Sequence, residues 1–121
     1  MPNKFPTPQP RVFVAHNTRH PLAEAEKFGR LVMMTAERDP YPANDADDPD
    51  RKDRILDDFM FNIEAFDPAT DHLLLVGDPI YCGLLLRLAA EKAERTRGPV
   101  TINVLRWDKQ LRTYIPVKVV L

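Results

Sequence analysis

Three short stretches concentrate the side chains able to do chemistry: His16-Asn17-Thr18-Arg19, Thr35-Ala36-Glu37-Arg38-Asp39 and Gly77-Asp78. Together they supply a histidine, which titrates near neutral pH, an amide, two guanidinium groups and several carboxylates. Such a set would hold a nucleotide or phosphate ester through Arg19 or Arg38, with Asn17, Thr18 and Asp78 as further ligand-binding groups. His16 or Asp78 would then move the proton of a hydrolytic reaction. Each residue also has a plainer role. Asp78 before Pro79 is placed to cap a helix, Asn17 and Thr18 are ordinary capping residues, and a histidine at a strand end commonly hydrogen-bonds locally. Cys82, with apolar neighbours, reads as a small buried hydrophobe rather than a nucleophile. No catalytic residue is therefore assigned; His16 and Asp78 are the candidates.

A second concentration lies near the C-terminus, in Val104-Leu105-Arg106-Trp107-Asp108-Lys109-Gln110-Leu111-Arg112-Thr113-Tyr114. Trp107 and Tyr114 flank a turn and are spaced to pack across two strands, with Arg106, Lys109 and Arg112 beside them. Cations interleaved with aromatic rings can bind single-stranded nucleic acid. Three cations make a thin electrostatic footprint, however, and the sequence pI is 6.3, so nucleic acid is the weakest of the readings. Trp, Tyr and Arg dominate the energetics of protein interfaces, and a protein surface fits these five residues better.

Metal sites fail on spacing. Asn44-Asp45-Ala46-Asp47-Asp48-Pro49-Asp50 looks at first like a calcium loop, but counting from Asp45 puts Asp50 where glycine is required and Leu56 where the closing glutamate belongs. His16 and His20 are four apart, yet Pro21 and a strand-to-helix turn break the helical spacing a two-histidine site would use. No metal and no cofactor is expected. With four glycines the chain has no phosphate-binding G-x-x-x-x-G-K and no dinucleotide-binding G-x-G-x-x-G. C-x-x-C, H-E-x-x-H and G-x-S-x-G are also missing.

At 121 residues the natural organisation is one domain, large enough to fold on its apolar core without metal or disulfide. The single cysteine excludes an intramolecular disulfide and suits a reducing cytoplasm. No apolar run approaches the roughly 20 residues of a membrane helix, and MPNKFPTPQP lacks the apolar stretch of a signal peptide. The expectation is a soluble, cytoplasmic protein. Its 17 basic and 18 acidic side chains nearly cancel, but they are unevenly spread. Residues 1–36 carry a net +3, residues 37–86 a net −9 and residues 87–121 a net +5, a pattern that concerns partners and assembly rather than fold.

The elements that must position these groups follow from periodicity and punctuation. Residues 1–10 read as an extended, proline-rich arm. Arg11–His16 has strand composition. Leu22, Ala25, Phe28 and Gly29 mark one face of a short helix, and Leu31–Thr35 reads as a second strand, with a continuous helix over 21–36 as the alternative. An acidic surface loop spans 37–50. Asp48-Pro49 then opens a helix whose stripe is Ile55, Leu56, Phe59, Ile63 and Phe66. His72–Gly77 has the continuous apolar character of a strand buried on both faces. Asp78-Pro79 starts a helix with Tyr81, Leu84, Leu85 and Leu88 on its buried side, Arg95 and Arg97 near its end, and Gly98 closing it. Val100–Leu105 and Thr113–Leu121 are the last strands. Pro116 cannot donate to a ladder, which puts its strand at an edge or puts a bulge there.

The predicted fold is α/β, a single domain over residues 11–121 with the order β-α-β-α-β-α-β-β. It has a mainly parallel sheet, helices on both faces and a C-terminal antiparallel hairpin. In such sheets ligands collect outside the carboxyl ends of the strands. The three strand tails would then meet on one rim, beside two helix N-termini able to hold an anion.

Leu75-Val76-Gly77-Asp78-Pro79, a helix, and then the Val104–Tyr114 hairpin resemble a group of small bacteriophage-encoded accessory proteins of unassigned function. The C-terminal half of that group reads V-G-D-P, helix, V-x-x-L-K/R-W-D-R/K-x-x-R-x-Y. The likeness covers roughly residues 72–118. It implies a phage protein made in the host cytoplasm and carries across no catalytic residue. The leading expectation is a non-enzymatic protein that binds a host or phage protein through the hairpin or the acidic stretch Asp45–Asp58, with a homodimer through the edge strand as a variant.

Overall fold

Short β-branched and aromatic runs, each closed by glycine, proline or aspartate, leave little choice but strands joined by brief crossovers. A computed structural model describes residues 9–18, 20–43, 48–95 and 100–121. Its strands are β1 (Arg11–Val14), β2 (Arg30–Met33), β3 (His72–Leu74), β4 (Thr101–Asp108) and β5 (Thr113–Val120). Its helices are a 3-10 helix, η1 (Ala23–Phe28), and the α-helices α1 (Arg51–Ile63) and α2 (Pro79–Glu94). The five strands form one mixed sheet in the order β2-β1-β3-β4-β5. β1 runs parallel to both β2 and β3, β3 runs parallel to β4, and β4–β5 is the antiparallel hairpin.

This order dictates where the crossovers lie. The step from β1 to β2 moves one way across the sheet, and the steps from β2 to β3 and β3 to β4 move the other way. Right-handed crossovers therefore place the first connection on one face and the next two on the opposite face. Strand alternation separates the two cores accordingly. Phe13, Leu73 and Ile102 pack with Ile55, Phe59 and Ile63 of α1 and with Tyr81, Leu85 and Ala89 of α2. Val12, Val14, Leu74 and Leu105 pack on the other side with Ala25, Leu22 and Phe28. Helices thus lie on both faces as expected, but unequally: both α-helices cover one face, and among the described residues the other carries the six-residue η1, a 3-10 helix. Leu22, Ala25 and Phe28 recur every third residue, which is the period of a 3-10 helix.

Other boundaries shift for local reasons. The second strand forms, in place of a continuous helix over 21–36, but it starts at Arg30 and ends at Met33, and Met34 and Thr35 are buried beyond it. Thr35 turns its hydroxyl to Asp58 Oδ2 at 2.8 Å, and Asn62 donates to the Met34 carbonyl at 3.0 Å, so α1 holds this exit in place. Helix α1 begins after Asp50, not Asp48, and the Asp48 carboxylate pairs with Arg54 at 2.8 Å instead of capping it. Leu56 does not join the buried stripe and is 47 % exposed. β3 ends at Leu74 rather than Gly77. Gly29 is required where it stands. Its φ is +148°, and a Cβ there would meet the Pro10 carbonyl oxygen at 2.4 Å, where the chain returns to pair Arg30 N–H with Pro10. The expected arm over residues 1–8, the helix stop at Gly98 with Arg97, and the loop residues 44–47 lie outside the described residues.

Candidate functional site

The parallel strands β1, β2 and β3 release their chains at one edge of the sheet, and one side chain ties the three exits together. His16, two residues past β1, is 4 % exposed. Its Nδ1 lies 3.1 Å from the Glu37 carbonyl oxygen, beyond β2. Its Nε2 lies 2.9 Å from the backbone N of Asp78, beyond β3. A carbonyl only accepts and an amide only donates, so the ring is neutral with its proton on Nδ1. Tyr81 packs over the imidazole at 4.5 Å between centroids and donates its hydroxyl to the Asp39 carbonyl at 3.0 Å. Burial pushes the Tyr81 hydroxyl pKa up.

Asp78 is fully committed as well. Oδ1 accepts from Ile80 N–H at 2.8 Å, capping α2, and Oδ2 accepts from Tyr41 N–H at 2.9 Å. Its carboxylate occupies the helix N-terminus that sequence reasoning offered to an anion. The other N-terminus offered is that of η1, where Leu22 sits at the cap without a side-chain bond. Thr18 accepts from His20 N–H at 3.3 Å instead of capping η1. Arg51 bridges Glu37 Oε2 at 3.2 Å and the Pro40 carbonyl at 2.9 Å, and Glu37 holds its guanidinium pKa above the ordinary value. The loop after β2 is thereby pinned to α1.

The structure brings the catalytic candidate His16 and the predicted ligand-binding residues Asn17, Thr18 and Arg38 onto one cavity of about 520 Å³, with His20 and Asp39 on its wall. Asp78 does not line it, and Arg19 lies outside the described residues. Cys82, half-buried in the first turn of α2, donates its thiol to the Val76 carbonyl across 3.6 Å, and burial raises its pKa. Among the described residues, no three metal-ligating side chains gather in one place.

The C-terminal hairpin forms the second candidate surface. Trp107 and Tyr114 are cross-strand partners, and their rings meet edge-on at 5.1 Å. Trp107 is 45 % exposed, and Arg106, Lys109, Leu111 and Arg112 are exposed on the same hairpin. Tyr114 is only 6 % exposed, so it braces the indole rather than presenting itself. Arg112 turns the chain with φ +52°, and Asp108 Oδ1 accepts both Gln110 N–H and Leu111 N–H at 2.9 Å, which stiffens the turn. At the turn end of the hairpin, Thr113 donates to Glu24 Oε2 at 2.8 Å, joining it to η1.

Sequence reasoning missed the space beside this hairpin. β4 has eight residues and β3 only three, with Leu105 opposite Leu74. The last residues of β4 therefore overhang the end of β3. An apolar cavity of about 600 Å³ opens there, lined among others by Leu74, Val76, Leu105, Trp107 and Tyr114, with Arg106 and His20 on its wall. The only hint in the sequence is the early Gly77-Asp78-Pro79 stop facing a longer strand.

In comparison with known proteins, the family model of phage Pam3 gp32-like proteins matches residues 9–121. No curated protein and no solved structure matches. No helix among the described residues is long and apolar enough to cross a membrane.

Proposed function

The chain belongs to the phage Pam3 gp32-like protein family, and on that premise we propose that it is a phage accessory protein acting by binding a protein partner through its C-terminal hairpin. The partner is of host or phage origin and is met in the host cytoplasm. Trp107 carries this reading. Its indole stands 45 % exposed on a two-stranded ribbon, held edge-on by Tyr114. An aromatic group already fixed in place loses little conformational freedom when covered, which is what an interface anchor needs. Arg106, Lys109 and Arg112 are exposed on the same hairpin and would steer an acidic partner toward it.

Pro116 and Lys118 stand on β5, the open edge of the sheet. Both discourage strand-to-strand pairing, which favours a different protein over a second copy as the occupant. The experiment is capture from phage-infected host lysate on immobilised wild-type protein and on the Trp107→Ala variant, with bound proteins identified by mass spectrometry. A protein retained by the wild type and lost from an equally stable variant supports the hairpin as the contact. Equal retention by both assigns the contact elsewhere.

A further inference from the structure

We infer that the cavity at the overhang of β4 is a binding site for a small amphiphilic anion. An alkyl or aromatic body would fill the apolar space, and a carboxylate or sulfonate head would sit at Arg106. The inference does not rest on the protein-binding reading, although Trp107 and Arg106 belong to both surfaces.

Three observations carry it. The first is position. The cavity opens where β4 overhangs the end of β3, on the carboxyl edge of the parallel strands, the edge at which open α/β folds take ligands. Its walls come from β4, β5 and the exit of β3, with His20 on the chain leaving β1. The second is size. About 600 Å³ falls within the range that encloses a whole small molecule and exceeds what one partner side chain would fill. The third is chemistry. Leu74, Val76 and Leu105 with the rings of Trp107 and Tyr114 offer an apolar lining. Among the described residues no carboxylate lines it, and Arg106 is its one permanent charge. Arg106 is exposed and already solvated, so an anionic head gains one modest ion pair there, a neutral guest gains none and a cationic guest is repelled.

Trp107 is the only tryptophan of the chain and lines the cavity, so its emission reads occupancy directly. The probe is decanoate below its micellar concentration, compared with decanol and decylammonium. Decanoate should change Trp107 emission saturably at one molecule per chain. It should bind about threefold to fivefold more tightly than decanol, the size of one partly exposed ion pair. Arg106→Gln should abolish that preference while leaving decanol binding unchanged. In amide NMR spectra of the wild type, the perturbed signals should cluster at Leu74–Val76 and Leu105–Trp107. The inference is overturned by an absence of saturable change, by equal or tighter binding of decanol or decylammonium, or by perturbations centred on the exposed Leu56, Met60 and Phe61 of α1. It is equally overturned if Arg106→Gln leaves the preference for decanoate intact.

Discussion

A methyl group on the α-carbon of Gly77 would stand 2.0 Å from Nε2 of His16. The glycine also holds φ at +92°, a conformation L side chains rarely adopt. Gly77 is thus the space into which the imidazole fits, and it lets the exit of β3 press against the ring that clasps the exit of β1.

Gly77→Ala is accordingly expected to destabilise the fold by about 3 kcal/mol, combining overpacking and backbone strain. The midpoint of urea unfolding measures it. A loss below about 1 kcal/mol would mean that the loop relaxes without disturbing the clasp.

His16→Ala should cost about 3 kcal/mol, because it leaves the Asp78 N–H and the Glu37 carbonyl without their partner and opens a void under Tyr81. The two substitutions should not add. With the ring gone, the clash at Gly77 disappears, and a double-mutant cycle should show a favourable coupling of about 1–2 kcal/mol. Strict additivity would sever the proposed contact.

His72 supplies a pH test. Its ring packs against Phe28 at 5.5 Å, its Nδ1 is buried without a partner, and burial holds its pKa below 6.5. The unfolded chain therefore takes up the proton first as pH falls. The stability tied to the neutral ring is fully present above pH 6.5 and is lost as pH drops from there through the lower folded value. The melting temperature of the wild type should fall more between about pH 7.5 and about pH 5.5 than that of His72→Phe, which has nothing to titrate. Parallel curves for the two proteins would refute this.

Cys82 should react slowly with a thiol reagent at about pH 8. Burial holds its thiol above the ordinary pKa, and the sulfur is turned to the Val76 carbonyl. Labelling should be at least about tenfold slower than for the urea-unfolded chain, since only the thiolate reacts. Equal rates would place the sulfur in open solvent.

Local features are legible in the order of residues. Asp78-Pro79 declares the cap and first turn of α2 because both acts involve neighbouring residues, and Trp107 with Tyr114 declares a braced hairpin because a tight turn leaves few registers. Leu56 is not legible in this way, because Ile55, Leu56, Phe59 and Ile63 make a stripe wider than the contact. Spacing shows that a helix has an apolar side, but only the sheet decides which edge of that side is covered. The short helix can be recognised from its apolar face, and its 3-10 form is written in the three-residue period of Leu22, Ala25 and Phe28, a signal that the reading of one helical face passes over.

By itself, then, the chain's order of residues determined which segments are extended or coiled, that the last two strands form a hairpin, and that three chemically rich tails leave parallel strands. The first two rest on interactions a few residues long; the third follows from the alternation of strands and helices, since the paired strands themselves lie far apart in sequence. Tertiary structure decided what the tails do: His16 is held between Glu37 and Asp78, Asp78 turns to Tyr41, and the unequal lengths of β3 and β4 open an apolar cavity beside Trp107. These depend on partners 21 to 62 positions apart. A hydrogen bond or a void at such a separation is set by how the layers pack, which no short stretch of sequence contains.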